Sequence, residues 1–269
     1  MQTTFEGGEI ERMLAPVAEL AIAAGARILE IAAAGLATRS KADRSPVTAA
    51  DEAAEEILVD GLNRHFPGVP VIAEEAAARD GTAKPSSAYF LVDPIDGTRE
   101  LVADRGEYTV NVGLVVDRVP RLGLIYAPRL NTLYAAAGGN AIRAAVAPGA
   151  HFDANGTERI RVRPRPARLI ALVSRSHPDP VSDAYLADLP IEQRIPLGSS
   201  LKFGRLAEGA ADVYVRLGTV NEWDVAAGHA LLLAAGGSMH AADGNPVRYG
   251  LQPKGFAVDG FVAWGGPPV

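Results

Sequence analysis

The chain of 269 residues contains no cysteine. That absence rules out a disulfide framework, a thiolate zinc site and a cysteine-nucleophile phosphatase. Histidine is scarce as well. The five that occur, His65, His151, His177, His229 and His240, show no H-E-x-x-H or other paired metal-ligand spacing, and each reads as a surface or packed residue. No apolar run reaches bilayer length without interruption: residues 15–34 are rich in alanine but include Glu19, Arg27 and Glu30. Near the start, Glu6, Glu9 and Glu11 stand where a signal peptide would carry basic residues, so none is expected. Net positive charge is missing too. A balance of −6 disfavours nucleic-acid or membrane-surface binding through general electrostatics. It leaves room for a phosphorylated small molecule, because bound cations can supply positive charge locally.

What is present is an apolar fraction of 48%, enough for one large domain or two modest lobes with a well-buried core. The spacing of Ile10, Met13, Leu14, Val17, Leu20, Ala21, Ala24 and Ile28 predicts a helix over about 10–36. A second helix is predicted from Thr48–Asp51 to about His65, burying Ala53, Ile57, Leu58 and Leu62 and stopped by Phe66-Pro67-Gly68. Residues 70–73 form a short strand delivering Glu74-Glu75, and Tyr89-Phe90-Leu91-Val92 reads as a buried strand. Segments 108–116, 121–126 and 132–137 have the pattern of an antiparallel meander. Gly138-Gly139 and the polar stretch 151–157 mark a lobe boundary, giving an α+β lobe over 1–145 and an α/β lobe over 146–269. In the second lobe, strands at 169–173 and 212–215 flank a helix over 201–208. Asp224 opens a last helix, 225–235, which stops at Gly236-Gly237. The mixture predicts layered α/β lobes.

Carboxylates fall at element ends in four separate places: Asp51, Glu74, the pair Asp93 and Asp96, and Asp224. The richest is Asp93-Pro-Ile-Asp-Gly-Thr98, where two carboxylates three residues apart follow a buried strand and the chain turns at Gly97. Mg²⁺ takes one or two carboxylates, water and substrate phosphate in octahedral geometry, and such a segment suits it. Singly, each acid also fits a plainer role, as a helix cap, a turn residue or, for Glu74-Glu75, a solvated loop pair. Brought together, they repel one another unless a cation neutralises them.

Four segments in order, Lys41-Ala-Asp-Arg-Ser-Pro-Val-Thr-Ala-Ala-Asp51, Glu74-Glu75, Asp93-Pro-Ile-Asp-Gly-Thr98 and Trp223-Asp-Val-Ala-Ala-Gly228, span almost the whole chain. In this order and spacing the chain resembles the magnesium-dependent, lithium-sensitive inositol monophosphatase superfamily. That group also includes fructose-1,6-bisphosphatases and 3'(2'),5'-bisphosphate nucleotidases. Within it the likeness is greatest to the bacterial CysQ-type nucleotidases. Its marks are Arg99-Glu-Leu101, Gly106-Glu-Tyr-Thr-Val-Asn111, Ser174-Arg-Ser-His177, Gly198-Ser-Ser-Leu-Lys-Phe203 and Trp223-Asp-Val-Ala-Ala-Gly-His-Ala230.

The resemblance implies an αβαβα sugar-phosphatase fold of two lobes with the active site between them. It implies hydrolysis of the 3'-phosphate of adenosine 3',5'-bisphosphate to AMP and phosphate, in sulfur metabolism. It places the enzyme in the cytoplasm, with peripheral attachment to the cytoplasmic face of the inner membrane as an alternative. Glu74, Asp93 and the Ile95 carbonyl would hold one Mg²⁺, and Asp93, Asp96 and Asp224 a second. A third, weaker site would lie near Glu74. Thr98 and Asp51 would orient and deprotonate the attacking water, with help from Glu74, and the backbone N–H groups of Gly97 and Thr98 would receive the phosphate.

Inositol monophosphatases carry a Glu seven residues before the Asp of their Trp-Asp motif, and Leu217 stands there in this chain. Ser199, Ser200 and Lys202 offer two hydroxyls and a cation for a second phosphate and the ribose. Both features favour a nucleotide bisphosphate over a polyol phosphate. Gly218-Thr219-Val220 departs from the Gly-Pro-Thr usual in nucleotidases, and residues 251–269 show little likeness.

Overall fold

The computed structural model describes residues 5, 8–36, 38–40, 46–81, 86–251 and 256–266. In chain order it opens with α1 (Glu9–Ala34), the paired strands β1 (Thr38–Ser40) and β2 (Pro46–Thr48), α2 (Ala49–His65), β3 (Val71–Ala73), α3 (Glu74–Asp80), β4 (Ala88–Asp96) and α4 (Thr98–Val102). There follow β5 (Thr109–Val116), β6 (Val119–Ala127), β7 (Thr132–Ala137), β8 (Asn140–Ala145) and β9 (Thr157–Arg159). Strands β3 to β9 form a seven-stranded sheet in sequence order, parallel between β3 and β4 and antiparallel beyond. The expected meander therefore continues through two further strands, and β9 carries the sheet past residue 145.

The run Tyr89–Val92 is apolar throughout because both faces of this sheet are covered. Phe90 and Val92 pack with Val17, Ala21, Ile28, Leu58 and Leu62 under α1 and α2. Tyr89 and Leu91 point the other way, into a core shared with Phe203, Trp223 and Leu231. Each fully buried Leu, Ile or Phe contributes about 1.5–3 kcal/mol, so neither face can be left open. Leu58 and Leu62 are buried on α2 as expected, but the rest of its inward face is not the expected one. That face consists of Ala50, Asp51, Ala54, Glu55, Leu58, Gly61 and Leu62, while Ala53 and Ile57 are only half-buried. Two carboxylates thus lie on the inward face.

The second half comprises β10 (Leu169–Ser174), α5 (Pro180–Ala187), β11 (Ile191–Leu197), α6 (Leu201–Ala207), β12 (Val213–Arg216), β13 (Val220–Asn221), α7 (Glu222–Ala234), β14 (Ser238–Ala241), β15 (Ala257–Val258) and β16 (Phe261–Trp264). Its sheet runs β11-β10-β12-β16-β14. The first three strands are parallel, while β16 is antiparallel to both neighbours. Phe261–Trp264, in the stretch with little family likeness, thus lies inside the sheet. Helices α6 and α7 pack between the two sheets, and α5 covers the far side of the second with Leu186 against Leu169, Val213 and Trp264. The layers are α1/α2, first sheet, α6/α7, second sheet, α5.

Helix α7 begins at Glu222, earlier than expected, so Asp224 lies inside its first turn. The helix lies directly on the first sheet. A Cβ at Gly123 would stand 2.1 Å from the Ala227 carbonyl oxygen, and one at Gly113 2.9 Å from the Ala226 Cβ. Among the described residues no helix is long and apolar enough to cross a membrane.

Candidate active site

Three carboxylates from distant parts of the chain converge. Glu74 is the first residue of α3, Asp93 lies near the end of β4, and Asp224 sits in the first turn of α7. One oxygen from each lies within 4.8 Å of the other two. In α7 a capping box places Asp224: one of its oxygens accepts the Asn221 N–H at 2.8 Å. The start of that helix is held further by Glu222, whose buried carboxylate accepts the Gly250 N–H at 2.7 Å and the Tyr89 hydroxyl at 3.3 Å.

Residues three apart on a regular strand face opposite sides. Here the register with β5 breaks between Asp93, opposite Asn111, and Asp96, opposite Thr109. The irregularity falls at Pro94-Ile95, where proline has no N–H to give a ladder, and it turns both aspartates toward one cleft. The Ile95 N–H donates to Asp93 Oδ1 at 3.0 Å, closing the local turn. Gly97, at φ 96°, then reverses the chain into α4.

Asp93 is almost wholly buried, at 1% exposure. Burial holds its carboxyl well above the usual carboxylate range, and Glu74, Asp96 and Asp224 push it further the same way. Asp96 lies outside the closest trio and is pushed up to about 6, chiefly by burial, while Lys202 and the Ser200 N–H oppose the shift. A divalent cation among these oxygens removes the repulsion. Carboxylates and the Ile95 carbonyl are hard donors that fit Mg²⁺, and no histidine joins the trio among the described residues.

Asp51 and Thr98 meet beside the cluster. The Thr98 hydroxyl donates to Asp51 Oδ1 at 3.1 Å and lies 3.3 Å from the Ile95 carbonyl oxygen. Asp51 also caps its own helix: Oδ2 accepts the Thr48 N–H at 2.8 Å and the Thr48 hydroxyl at 2.7 Å. The cap expected for Asp51 thus uses one oxygen, and the contact with Thr98 uses the other. The part of the first matching segment at 41–45 lies outside the described residues.

A cleft of about 300 Å³ extends from Asp96 and Asp224 toward the second sheet, walled by Ser199, Lys202, His177, Arg216, Glu100 and Tyr214. Lys202 is not an exposed helix residue. At 3% exposure its Nζ donates to the carbonyls of Leu197, at 3.1 Å, and Ser199, at 2.5 Å. Ser199 holds a left-handed backbone, with φ 50°, at the cleft wall. The Ser200 hydroxyl is engaged within the fold, donating to Asn111 Oδ1 at 2.7 Å and lying 2.8 Å from Thr109 Oγ1, so its part in the site falls to its N–H on Asp96. This loop is clamped to the first half of the chain by Glu107, which accepts the Gly198 N–H at 2.8 Å and pairs with Arg175 Nε and Nη2 at 2.7 and 2.8 Å. Leu217 packs toward the apolar core under α5.

Sequence reading gave no site role to Arg216, Glu100 or His177. His177 belongs to a matching segment, but Arg216 ends an ordinary-looking strand and only the fold brings it to the cleft.

The chain matches the family described as "Inositol monophosphatase family" over residues 9–261. It is 41% identical over 251 residues to the 3'(2'),5'-bisphosphate nucleotidase CysQ of Escherichia coli (strain K12), covering 93% of this chain and 98% of that protein. Its structure is similar to that of CysQ from Bacteroides thetaiotaomicron, a bacterial member of the inositol monophosphatase family. The TM-score is 0.79 at 34% identity, over 95% of this chain and 97% of the other. The inositol monophosphatase from Anabaena is similar at TM-score 0.69 and 26% identity, over 96% and 91%.

Proposed function

This chain belongs to the inositol monophosphatase family, and from that premise we propose that it is a Mg²⁺-dependent phosphatase that removes the 3'-phosphate of adenosine 3',5'-bisphosphate, releasing AMP and phosphate. The observation that carries the substrate reading is the pairing of a carboxylate cluster with a cationic wall in one cleft. Glu74, Asp93, the Ile95 carbonyl, Asp96 and Asp224 would hold two Mg²⁺ ions, with a third near Glu74. When bound, Mg²⁺ supplies Lewis-acid stabilisation of the phosphoryl oxygens and lowers the pKa of the attacking water. The chain's own residues do the rest. The Thr98 hydroxyl orients the water and relays its proton to Asp51 Oδ1, 3.1 Å away. Across the cleft, Lys202 and Arg216 meet the second phosphate, and Ser199 the ribose. Leu217 leaves no carboxylate at the place where a polyol hydroxyl would need one.

The decisive assay measures phosphate release from adenosine 3',5'-bisphosphate beside inositol 1-phosphate, with Mg²⁺ and with EDTA. Preference for the nucleotide, lost on chelation and restored by Mg²⁺, is the expected result. Preference for inositol 1-phosphate would overturn the substrate reading, and full activity in EDTA would overturn the metal reading.

Lys202 makes this reading sensitive to pH. Burial pulls its ammonium down to about 8, against the opposing pull of Asp96, Glu100 and Glu107, while Arg216 lowers it further. The cation is therefore present below that pH and lost above it. KM for adenosine 3',5'-bisphosphate should rise several-fold between pH 7.5 and 9, whereas KM for 3'-AMP, which lacks the second phosphate, should change less. Lys202→Arg should flatten the rise. Equal pH profiles for the two substrates would remove Lys202 from phosphate binding.

A further inference from the structure

Helix α3 opens with Glu74, yet its N-cap is Ala73, a buried residue with no side chain able to accept a hydrogen bond. The first N–H groups of any helix need acceptors from elsewhere. They come from α2. Glu55 Oε2 accepts the Glu75 N–H at 2.8 Å, and Glu55 Oε1 accepts the Ala76 N–H at 2.8 Å. Glu55 is itself 6% exposed, so this carboxylate is buried within the fold and committed to a neighbouring helix. Asp51, which holds Thr98, lies one turn earlier on the same buried face of α2.

We propose that Glu55 is a positioning residue that fixes the rotation and height of α3, and with them the reach of Glu74 toward Asp93 and Asp224. Helix α2 then aligns two parts of the site at once, the cation ligand through Glu55 and the proton relay through Asp51. A cap supplied in this way adds another negative charge near a cluster already crowded with them. The two N–H groups and Arg79 favour the Glu55 charge, each more than Glu74 opposes it, as suits a carboxylate at a helix N-terminus. This inference rests on the divalent-cation reading given above.

Two substitutions test it. Glu55→Gln keeps the size but leaves one N–H facing an amide donor. Glu55→Asp keeps the charge but falls one methylene short. Both should raise the Mg²⁺ concentration for half-maximal activity by about tenfold or more. Both should also shrink the Mg²⁺-induced rise in Tm, while kcat at saturating Mg²⁺ stays within about threefold of the parent. Hydrogen exchange at the Glu75 and Ala76 amides should speed up selectively. If Glu55→Asp binds Mg²⁺ like the parent and only Glu55→Gln weakens it, charge and not position is responsible, and the proposal fails. It also fails if both variants lower the metal-free Tm with an unchanged Mg²⁺ response. A parent protein showing neither Mg²⁺-dependent Tm shift nor Mg²⁺-dependent hydrolysis would instead sink the cation reading itself.

Discussion

Asp93→Asn should lower phosphate release by at least about 10³-fold while making the metal-free protein more stable. The two effects have one origin. Asp93 is buried among Glu74, Asp96 and Asp224, so without a cation its charge is opposed by low polarity and by three like charges. An amide of the same shape removes that repulsion, and Tm of the metal-free variant should rise by on the order of a few °C. The sign with pH follows. Because the folded protein holds the Asp93 proton more tightly than the unfolded chain, metal-free stability falls as pH rises above the ordinary carboxylate range. Mg²⁺ should reverse that loss in the parent and much less in the variant. Scanning calorimetry with and without Mg²⁺ at pH 5 and pH 8, beside the rate assay, checks both halves. Parent-like turnover would refute a ligand role for Asp93. A lower metal-free Tm would refute the account of its repulsion.

Asp51→Asn should reduce kcat by about 10²- to 10⁴-fold with little change in substrate KM. Asp51 uses one oxygen on the Thr48 N–H and hydroxyl and the other on Thr98. An asparagine can keep its oxygen on Thr48 and so preserve the cap, worth about 1 kcal/mol. Its amide nitrogen would then face Thr98 as a donor and turn the hydroxyl round. The helix survives while the proton has nowhere to go. Thr98→Ala should cost a similar factor, and the double variant no more than the worse single one, since the two act as a unit. Additive losses in kcat would show that Asp51 and Thr98 work separately.

The sequence announced the candidate site residues far better than their supports. Asp93, Asp96, Glu74, Asp51 and Asp224 stand in segments whose spacing betrays them, and an apolar strand leading into Asp-Gly is readable without a fold. Glu55 is not. It lies in a helix with acids at Asp51, Glu52, Glu55 and Glu56, and periodicity assigns such residues to solvent, so the pattern finds Leu58 and Leu62 on the buried face of α2 but not the carboxylates between them and Thr48. Arg216 and Tyr214 were equally hidden, because nothing local tells a strand end at a cleft from a strand end at the surface. Ser200 shows the reverse case. A hydroxyl beside a candidate cation looks like a ligand group, but the fold spends it on Asn111, whose strand lies far away in sequence. Residues 140–145 and 157–159 escaped notice as strands because short, arginine-containing segments at a sheet margin carry little apolar pattern.

The bare backbone contact between α7 and the first sheet has a mechanical meaning. At Gly123 the backbone of β6 lies against the Ala227 carbonyl, and at Gly113 only the Ala226 methyl stands between helix and β5, so the joint has little to compress at these two points. Layers that open and close like a jaw need a cushion of side chains that can slide or change rotamer. Here a tilt of α7 toward the sheet would press backbone on backbone at Gly123 and the Ala226 methyl on backbone at Gly113. The span from Asp93 to Asp224 is therefore held like the gap of a fixed calliper, one arm on β4 and the other on α7.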